Sequence, residues 1–186
     1  SEPVPYSIAS PPSAARQGGL EFLMSADTPF AASRDILDLT GERVEVSPPF
    51  GSFGVPADEG HLPLVLVAGG TGIAPIRSVL LDALERQPAA PPTLLYSARA
   101  RDEFAFDDEF EALASTGRLE YHKTLTGPDQ AGWPGRTGRI DASLLRAVWP
   151  AGDACTLVCG PADFVTAVRG ALATLGVEPD RVVVER

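Results

Sequence analysis

Short apolar, β-branched runs alternate with longer segments of helical period from residue 62 to the end of the chain. The apolar runs predict five strands, at 62–68, 92–98, 118–125, 154–160 and 181–185. Between them, helices are predicted at about 73–86, 106–115, 141–148 and 162–175. This order is typical of an α/β fold, a doubly wound, five-stranded parallel sheet with helices on both faces.

Two of these helices have a clear apolar stripe. In the first, the stripe comprises Ile73, Ile76, Leu80, Ala83 and Leu84. Arg77, Asp82 and Glu85 are expected to point elsewhere. In the last, the stripe comprises Phe164, Val168, Ala171, Leu172 and Leu175, and Gly176 follows as the expected C-cap. Both helices are therefore expected to pack against the sheet.

The first 56 residues have a different pattern. Three β-rich runs, at 5–10, 20–26 and 42–48, are separated by proline, glycine and serine, with one short helical candidate at 31–39. The polar, glycine-containing segment 55–63 is a plausible linker. The sequence thus predicts two domains, residues 1–56 and residues 62–186.

Composition and charge exclude several classes of protein. The formal net charge is −10, from 15 basic and 25 acidic residues, which disfavours nucleic-acid binding. No apolar stretch approaches the roughly 20 residues of a membrane span, and the first residues do not resemble a targeting signal. Cys155 and Cys159 are too far apart along a strand for a disulfide, which favours a reducing, cytoplasmic location. Two cysteines also cannot hold an iron–sulfur cluster, and no metal site is predicted.

A glycine-rich turn, with glycines at 69, 70 and 72, joins the first strand to the first helix. Backbone N–H groups and the helix dipole make such a turn suited to phosphate. The Gly-Lys-Ser/Thr ending of a P-loop is absent, and Pro75 stands where the usual dinucleotide fingerprint has its third glycine. The turn therefore indicates a variant dinucleotide site, with a tight turn that holds no ligand as the alternative.

The tip of the second strand is where such sheets read the adenine ribose. Ser97, Arg99 and Arg101 can bind a 2′-phosphate, whereas Asp102 and Glu103 can bind a free 2′-hydroxyl. The pattern slightly favours NADPH over NADH. These residues can also be solvated charges of an ordinary loop.

Six motifs in this order resemble the ferredoxin-NADP reductase superfamily, which includes flavin reductases, oxygenase reductase components and flavohaemoprotein reductase modules. The motifs are YSIAS at 6–10, VSPPFGSF at 46–53, LVLVAGGTGIAP at 64–75, GRTGRI at 135–140, CGPADF at 159–164 and VVVER at 182–186. The resemblance implies an FAD-binding antiparallel β-barrel followed by an NAD(P)-binding domain. Hydride would pass from NADPH or NADH to flavin N5 where the two domains meet.

On the flavin side, the family's motif falls on Tyr6, Ser7, Ile8, Ala9 and Ser10. The resemblance implies that the ring of Tyr6 lies against the isoalloxazine and that the hydroxyl of Ser7 hydrogen-bonds N5. It also implies that Ser33 binds the pyrophosphate and that Glu185 lies at the cofactor.

On the nucleotide side, the resemblance implies that Gly70, Thr71, Gly72 and Pro75 bind NAD(P)H. It places Cys159 beside the reacting rings, with Gly160 and Pro161 in the same turn. Cys159 can instead be a small buried apolar residue, as free cysteine often is. Cys155 is interpreted as a core residue only.

The sequence departs from the family pattern at both ends. Val4 stands where the family has an arginine for the flavin phosphate, the early barrel strands are missing, and the chain stops at Arg186 before the aromatic residue that covers the flavin in many members. Residues 1–56 are therefore expected to be a partial FAD-binding barrel. The predicted function is a flavin-dependent NAD(P)H oxidoreductase that passes electrons to an iron–sulfur protein, a haem or free flavin. The alternative is a nucleotide-binding module without redox chemistry.

Overall fold

The computed structural model describes residues 4–25, 41 and 43–185 of the chain. Its centre is one parallel sheet of six strands in the order β4-β3-β2-β1-β5-β6. The strands are β1 Leu64–Gly69, β2 Thr93–Ala98, β3 Glu120–Leu125, β4 Arg136–Thr137, β5 Cys155–Cys159 and β6 Val182–Val184. The helices are α1 Pro12–Arg16, α2 Ile73–Glu85, α3 Asp107–Ser115, α4 Ala142–Val148 and α5 Ala162–Thr174.

The α/β fold and all five predicted strands are confirmed, but the strand count of five was one too low. The additional strand, β4, has two exposed residues and pairs with Thr124 and Leu125 of β3. A polar pair of this length has no hydrophobic alternation, so nothing in the sequence pattern predicts it.

Burial explains why the strands form where they do. Every residue of β1, β2 and β5 is buried. These three strands lie in the middle of the sheet, where both faces are covered, and this is why they read as continuous apolar runs. Strand β3 begins exposed, and β6 at the other edge is half-buried throughout.

The predicted helical stripes are confirmed with one correction. Ile73, Ile76, Leu80 and Leu84 of α2 are buried against the sheet, and Gly176 follows α5 with a φ of +82°. From the amphipathic pattern, Arg77 was expected to point away from the apolar stripe and into solvent. In the structure it is buried, with 8% of its surface exposed. Its partners come from distant parts of the chain and are described below.

Residues before 62 contain little regular structure where the structure describes them. In that part, the only strand pairing is an isolated antiparallel bridge between Ile8 and Phe22, and α1 is the only helix. The run 43–48 forms no strand, so the prediction of a strand there was wrong. The predicted helix at 31–39, including Ser33, lies outside the described residues, and the partial barrel and the domain boundary stay predictions.

Across the described ranges, the longest helices have 13 residues, and none is both long and apolar enough to cross a bilayer.

Candidate active site

The glycine turn lies at the carboxyl edge of the sheet. Gly69 ends β1, Gly70–Gly72 form one 3₁₀ turn, and α2 begins at Ile73. Gly70 has a φ of +55°, and no atom of a distant residue lies within 4 Å of the position that a Cβ would take. A ligand can therefore approach this backbone closely. The Ile73 N–H already donates to the Gly70 carbonyl, so the donors expected to face a ligand are the N–H groups at the start of the 3₁₀ turn. The turn fits a nucleotide phosphate.

At Gly72 the glycine turn lies in close contact with the end of β5. A Cβ on Gly72 would lie 2.5 Å from the carbonyl oxygen of Cys159 and 2.7 Å from the amide nitrogen of Gly160. Both neighbours are backbone atoms, which cannot rotate away. Only glycine at position 72 therefore allows the glycine turn and the turn after β5 to lie in contact. Pro75 is buried in the first turn of α2, where the missing N–H costs no helical hydrogen bond.

Phe164 of α5 packs over the same two turns. A Cβ on Gly69 would lie 2.9 Å from the ring of Phe164, and one on Gly160 would lie 2.6 Å from it. Pro161, which is exposed, stands as the N-cap of α5. Because Gly69 and Gly160 have no side chains, the Phe164 ring can pack directly on their backbones at the edge of the sheet.

Cys159 and Ser7 meet at one carboxylate. The Cys159 thiol donates to Glu185 Oε2 at 2.8 Å, and the Ser7 hydroxyl donates to Glu185 Oε1 at 2.8 Å. Cys159 pairs with Ala68 in the sheet, so the cluster lies beside the glycine turn. Burial, with the hydrogen bond to Glu185, raises the pKa of Cys159 far above its usual range. The thiol is therefore a proton donor at neutral pH, and not a nucleophilic thiolate.

The other residues of the expected flavin motif differ in their burial and in their partners within the protein. Tyr6 is half-buried, and Ile8 forms the bridge to Phe22. Ala9 and Ser10 are almost fully buried and already have protein partners: Ala9 N–H donates to the Glu21 carbonyl at 2.8 Å, and Ser10 Oγ accepts from Glu21 N–H at 3.1 Å. Their contact with flavin stays a prediction.

The tip of β2 carries the residues expected to read the ribose. Ser97 pairs with Gly69 in the sheet and is buried, whereas Arg99 is exposed. Glu103 accepts a hydrogen bond from the Arg99 amide at 3.0 Å. Arg101 donates to the Ala131 carbonyl, so its guanidinium is already engaged. This leaves Arg99 and Glu103 as neighbouring charges of opposite sign at the site.

Arg77 is the polar group that sequence reasoning missed. Its guanidinium bonds Ala9, Glu21 and Glu109, and it lies 4.4 Å from the Phe106 ring centroid. Hydrophobic periodicity gave no signal for this burial. The motif resemblance placed Ser7, Cys159 and Glu185 near the cofactor but not their mutual hydrogen bonds.

The family model for the oxidoreductase NAD-binding domain matches residues 66–170, which is more than half of the chain. The chain belongs to this family. The match runs from β1 through the glycine turn and β5 into α5. This confirms that the glycine turn belongs to a nucleotide-binding domain, and it supports the resemblance to ferredoxin-NADP reductases.

Two curated relatives are similar in sequence. The chain is 33% identical over 147 residues to a flavohemoprotein of Rhodopirellula baltica, covering 76% of this chain and 36% of that protein. It is 34% identical over 152 residues to one component of the Na(+)-translocating NADH-quinone reductase of Klebsiella pneumoniae subsp. pneumoniae, covering 78% of this chain and 37% of that protein. The chain thus spans little more than a third of these relatives.

A solved structure shows the same fold. It is the flavohem-like FAD/NAD binding domain of nitric oxide dioxygenase from Vibrio cholerae O1 biovar El Tor, with a TM-score of 0.75 and 23% identity. The match covers 97% of this chain and 75% of that one. The ferredoxin-NADP reductase-like fold is therefore confirmed for this sequence.

Proposed function

We propose that this chain works in an NAD(P)H-dependent flavin oxidoreductase and supplies the nucleotide site and part of the flavin site. The observation that carries the proposal is the cluster of Ser7, Glu185 and Cys159 beside the glycine turn. Ser7 and Glu185 are 178 residues apart in the chain, yet they meet at the edge where ligands bind in such sheets.

The residues of this edge bind and orient the reactants. The backbone of Gly70–Gly72 and the start of α2 would hold the nucleotide phosphates. A bound flavin would supply the redox chemistry, namely hydride uptake from a reduced nicotinamide and electron release singly or in pairs. The protein's contribution is to hold the two rings together and to exclude water.

The cluster also holds protons at defined atoms. The Ser7 hydroxyl is oriented by Glu185 Oε1, and the Cys159 thiol by Glu185 Oε2. Because the pKa of Cys159 is raised, its thiol keeps its proton and presents a small, uncharged surface to the reacting rings. A hydroxyl can donate and accept at once, so Ser7 can accept a hydrogen bond from a ligand while it donates to Glu185 Oε1.

For the electron acceptor, we propose only its chemical class. The similar flavohemoprotein and the NADH-quinone reductase component carry redox functions in their names. An iron–sulfur protein, a haem or free flavin would be suitable. The strongly acidic composition favours an acceptor with a basic contact surface.

A cytoplasmic location is part of the proposal. Cys155 and Cys159 are both free and buried, and they lie at opposite ends of β5. Free thiols of this kind are typical of a reducing compartment.

Replacing Cys159 by alanine is expected to slow hydride transfer by about tenfold while nucleotide affinity changes little. The substitution removes the thiol that borders the reacting rings and frees one oxygen of Glu185. Stopped-flow reduction of bound flavin by NAD(P)H measures this rate. The matched control is Cys155→Ala, at the other end of the same strand, which is expected to cost stability only.

Equal reduction rates in wild type and Cys159→Ala, with a loss of thermal stability, would assign Cys159 to the core. Absence of any flavin reduction in the wild type would instead favour the nucleotide-binding module without redox chemistry. Because this chain is expected to bind FAD weakly, reduction of FAD added in excess by NAD(P)H separates these two functions before any variant is made.

Arg99 and Glu103 are expected to set the choice between NADPH and NADH in opposite directions. Arg99→Ala should raise the KM for NADPH about tenfold and leave that for NADH unchanged, because a charge-assisted bond to the 2′-phosphate is lost. Glu103→Gln should lower the KM for NADPH, because a negative charge beside that phosphate is removed. Arg118→Ala, which removes an exposed arginine beyond α3, is the control. An equal loss of both nucleotides in Arg99→Ala would defeat the assignment.

A further inference from the structure

Arg77 is a buried cation that the proposed hydride transfer does not use. It lies in the second turn of α2 and is 8% exposed. Nε and Nη2 form a fork with the Glu109 carboxylate at 2.5 and 3.1 Å. Nη1 donates to the Ala9 carbonyl at 2.9 Å and to Glu21 Oε2 at 2.7 Å. Burial lowers the pKa of a guanidinium, but the bonds to Glu109 and Glu21 outweigh it, so the pKa of Arg77 is raised and the charge is permanent.

These bonds join two parts of the chain that would hold different cofactors. Glu109 belongs to α3, which packs with the sheet, so the fork ties Arg77 to the nucleotide side. Ala9 and Glu21 belong to the segment around Ser7, and they are bonded to each other. The next residue, Ser78, adds a hydrogen bond to the Ser10 carbonyl at 2.7 Å. The flavin-side segment is therefore fastened to α2 at Arg77 and Ser78, and Ser13 adds a hydrogen bond to Glu85 at the end of the same helix.

Stability alone is a weak explanation for this arrangement. A buried ion pair has a large desolvation cost, and apolar residues of similar volume often stabilise a protein equally well. What an apolar residue cannot do is fix the direction of a backbone carbonyl. An arginine has five donors in a rigid plane, and Arg77 uses them on three residues from two parts of the chain. Such a set of bonds determines geometry.

The position of Arg77 is suited to that task. It is five residues beyond Gly72, a rise of about 7.5 Å along the helix. Ala9 is two residues beyond Ser7, so at most about 7 Å of chain separates the bonded carbonyl from the Ser7 residue. Arg77 therefore lies close to both the phosphate turn and the residue expected at the flavin.

We propose that Arg77 is a positioning residue that fixes the Ser7 segment relative to the glycine turn, and so sets the approach of the flavin to the nicotinamide. Only the second half of this inference, which concerns the approach of the flavin to the nicotinamide, rests on the proposed function. The first half, that Arg77 holds residues 6–25 on α2, is independent of any cofactor. The two halves are tested separately.

Hydrogen exchange of the cofactor-free chain tests the structural half. In Arg77→Met, which keeps an apolar stem, the amides of Ala9 and Glu21 are expected to exchange about tenfold faster, while those of β1 and β5 keep their wild-type rates. Arg86→Met is the matched control, since Arg86 lies just after the same helix, is exposed and bonds only Asp82 among the described residues. Unchanged exchange of Ala9 and Glu21 in Arg77→Met would overturn the proposal.

Glu21→Gln keeps the test valid if Arg77→Met does not fold. The Glu21 side chain is 59% exposed, so Glu21→Gln is expected to leave the sheet folded. It removes one ion pair of Arg77 and leaves the Glu109 fork intact. Faster exchange confined to residues 6–25 supports the proposal, and exchange equal to wild type counts against it.

Flavin reduction tests the second half. In flavin-loaded protein, Arg77→Met is expected to lower the rate of reduction by NAD(P)H by ten- to a hundredfold, because a misplacement of about 1 Å has that effect on a reacting pair. The Kd for the nucleotide should change less than about twofold. A merely structural role would lower the rate and raise the Kd together, or change neither, and that result would overturn the proposal. If wild type itself is not reduced while exchange responds as expected, the proposed function fails and the structural role of Arg77 stands.

Discussion

Replacing Gly72 by alanine is expected to destabilise the protein by about 3 kcal/mol and to abolish nucleotide binding. The added Cβ would lie 2.5 Å from the Cys159 carbonyl oxygen and 2.6 Å from its carbonyl carbon. Because both atoms are backbone, the glycine turn and the end of β5 must move apart. Thermal denaturation and calorimetric titration of NADPH and NADH measure the two effects.

Gly170→Ala is the matched control for this prediction. Gly170 lies within α5, and no atom of a distant residue lies within 4 Å of its Cβ position. Alanine is the better helix former, so this variant should bind the nucleotide normally and be equally or slightly more stable, by up to about 1 kcal/mol. Normal nucleotide binding by Gly72→Ala would show that the contact with Cys159 does not shape the site.

The fold of residues 62–185 could be predicted almost completely, for a physical reason. Central parallel strands are buried on both faces, so β1, β2 and β5 are unbroken apolar runs that end at turn residues. Helix α2 was predicted at 73–86 and occupies Ile73–Glu85. Strand β4 could not be predicted, since its two residues are exposed and polar and their pairing depends on where β3 ends.

The candidate site was predictable only in part. The positions of Gly70, Gly72 and Cys159 at one edge follow from the strand–turn–helix order alone. The shared carboxylate of Glu185 does not, because its partners Ser7 and Cys159 are 178 and 26 residues away in the chain. No local pattern encodes such a contact. Only a motif resemblance brought these residues together before the structure did.

Arg77 shows a different limit. On an amphipathic helix, an arginine off the apolar stripe normally faces solvent, and this is what the periodicity indicated. It is buried here because Ala9, Glu21 and Glu109 together satisfy its donors. Each of these partners is at least 32 residues away. The burial of a charge depends on its partners, and hydrophobic periodicity does not record them.

Exposed apolar side chains lie in the described residues before 62. Val44, Val46 and Phe50 are 53%, 58% and 82% exposed, and the described part of residues 43–62 forms no strand. Large exposed apolar side chains of this kind indicate surface that another element normally covers. Among the described residues before 62, these apolar side chains are left exposed, unlike those of the nucleotide side, which are buried in two clusters around β1 and β5.

This chain is expected to bind NADPH or NADH clearly and FAD weakly. Open apolar surface gives a poor pocket, and Val4 stands where the family has an arginine for the flavin phosphate. Loss of that charge-assisted bond costs about 1.5 to 3 kcal/mol, or ten- to a hundredfold in affinity. Val4→Arg should therefore tighten FAD binding by up to that factor and leave the nucleotide unaffected, with Val4→Leu as the uncharged control. Calorimetric titration of FAD and NADPH into the three proteins measures both affinities. Tight, stoichiometric FAD binding by the unsubstituted chain would contradict this prediction, because residues 4–62 would then form a closed flavin site despite the exposure of Val44, Val46 and Phe50.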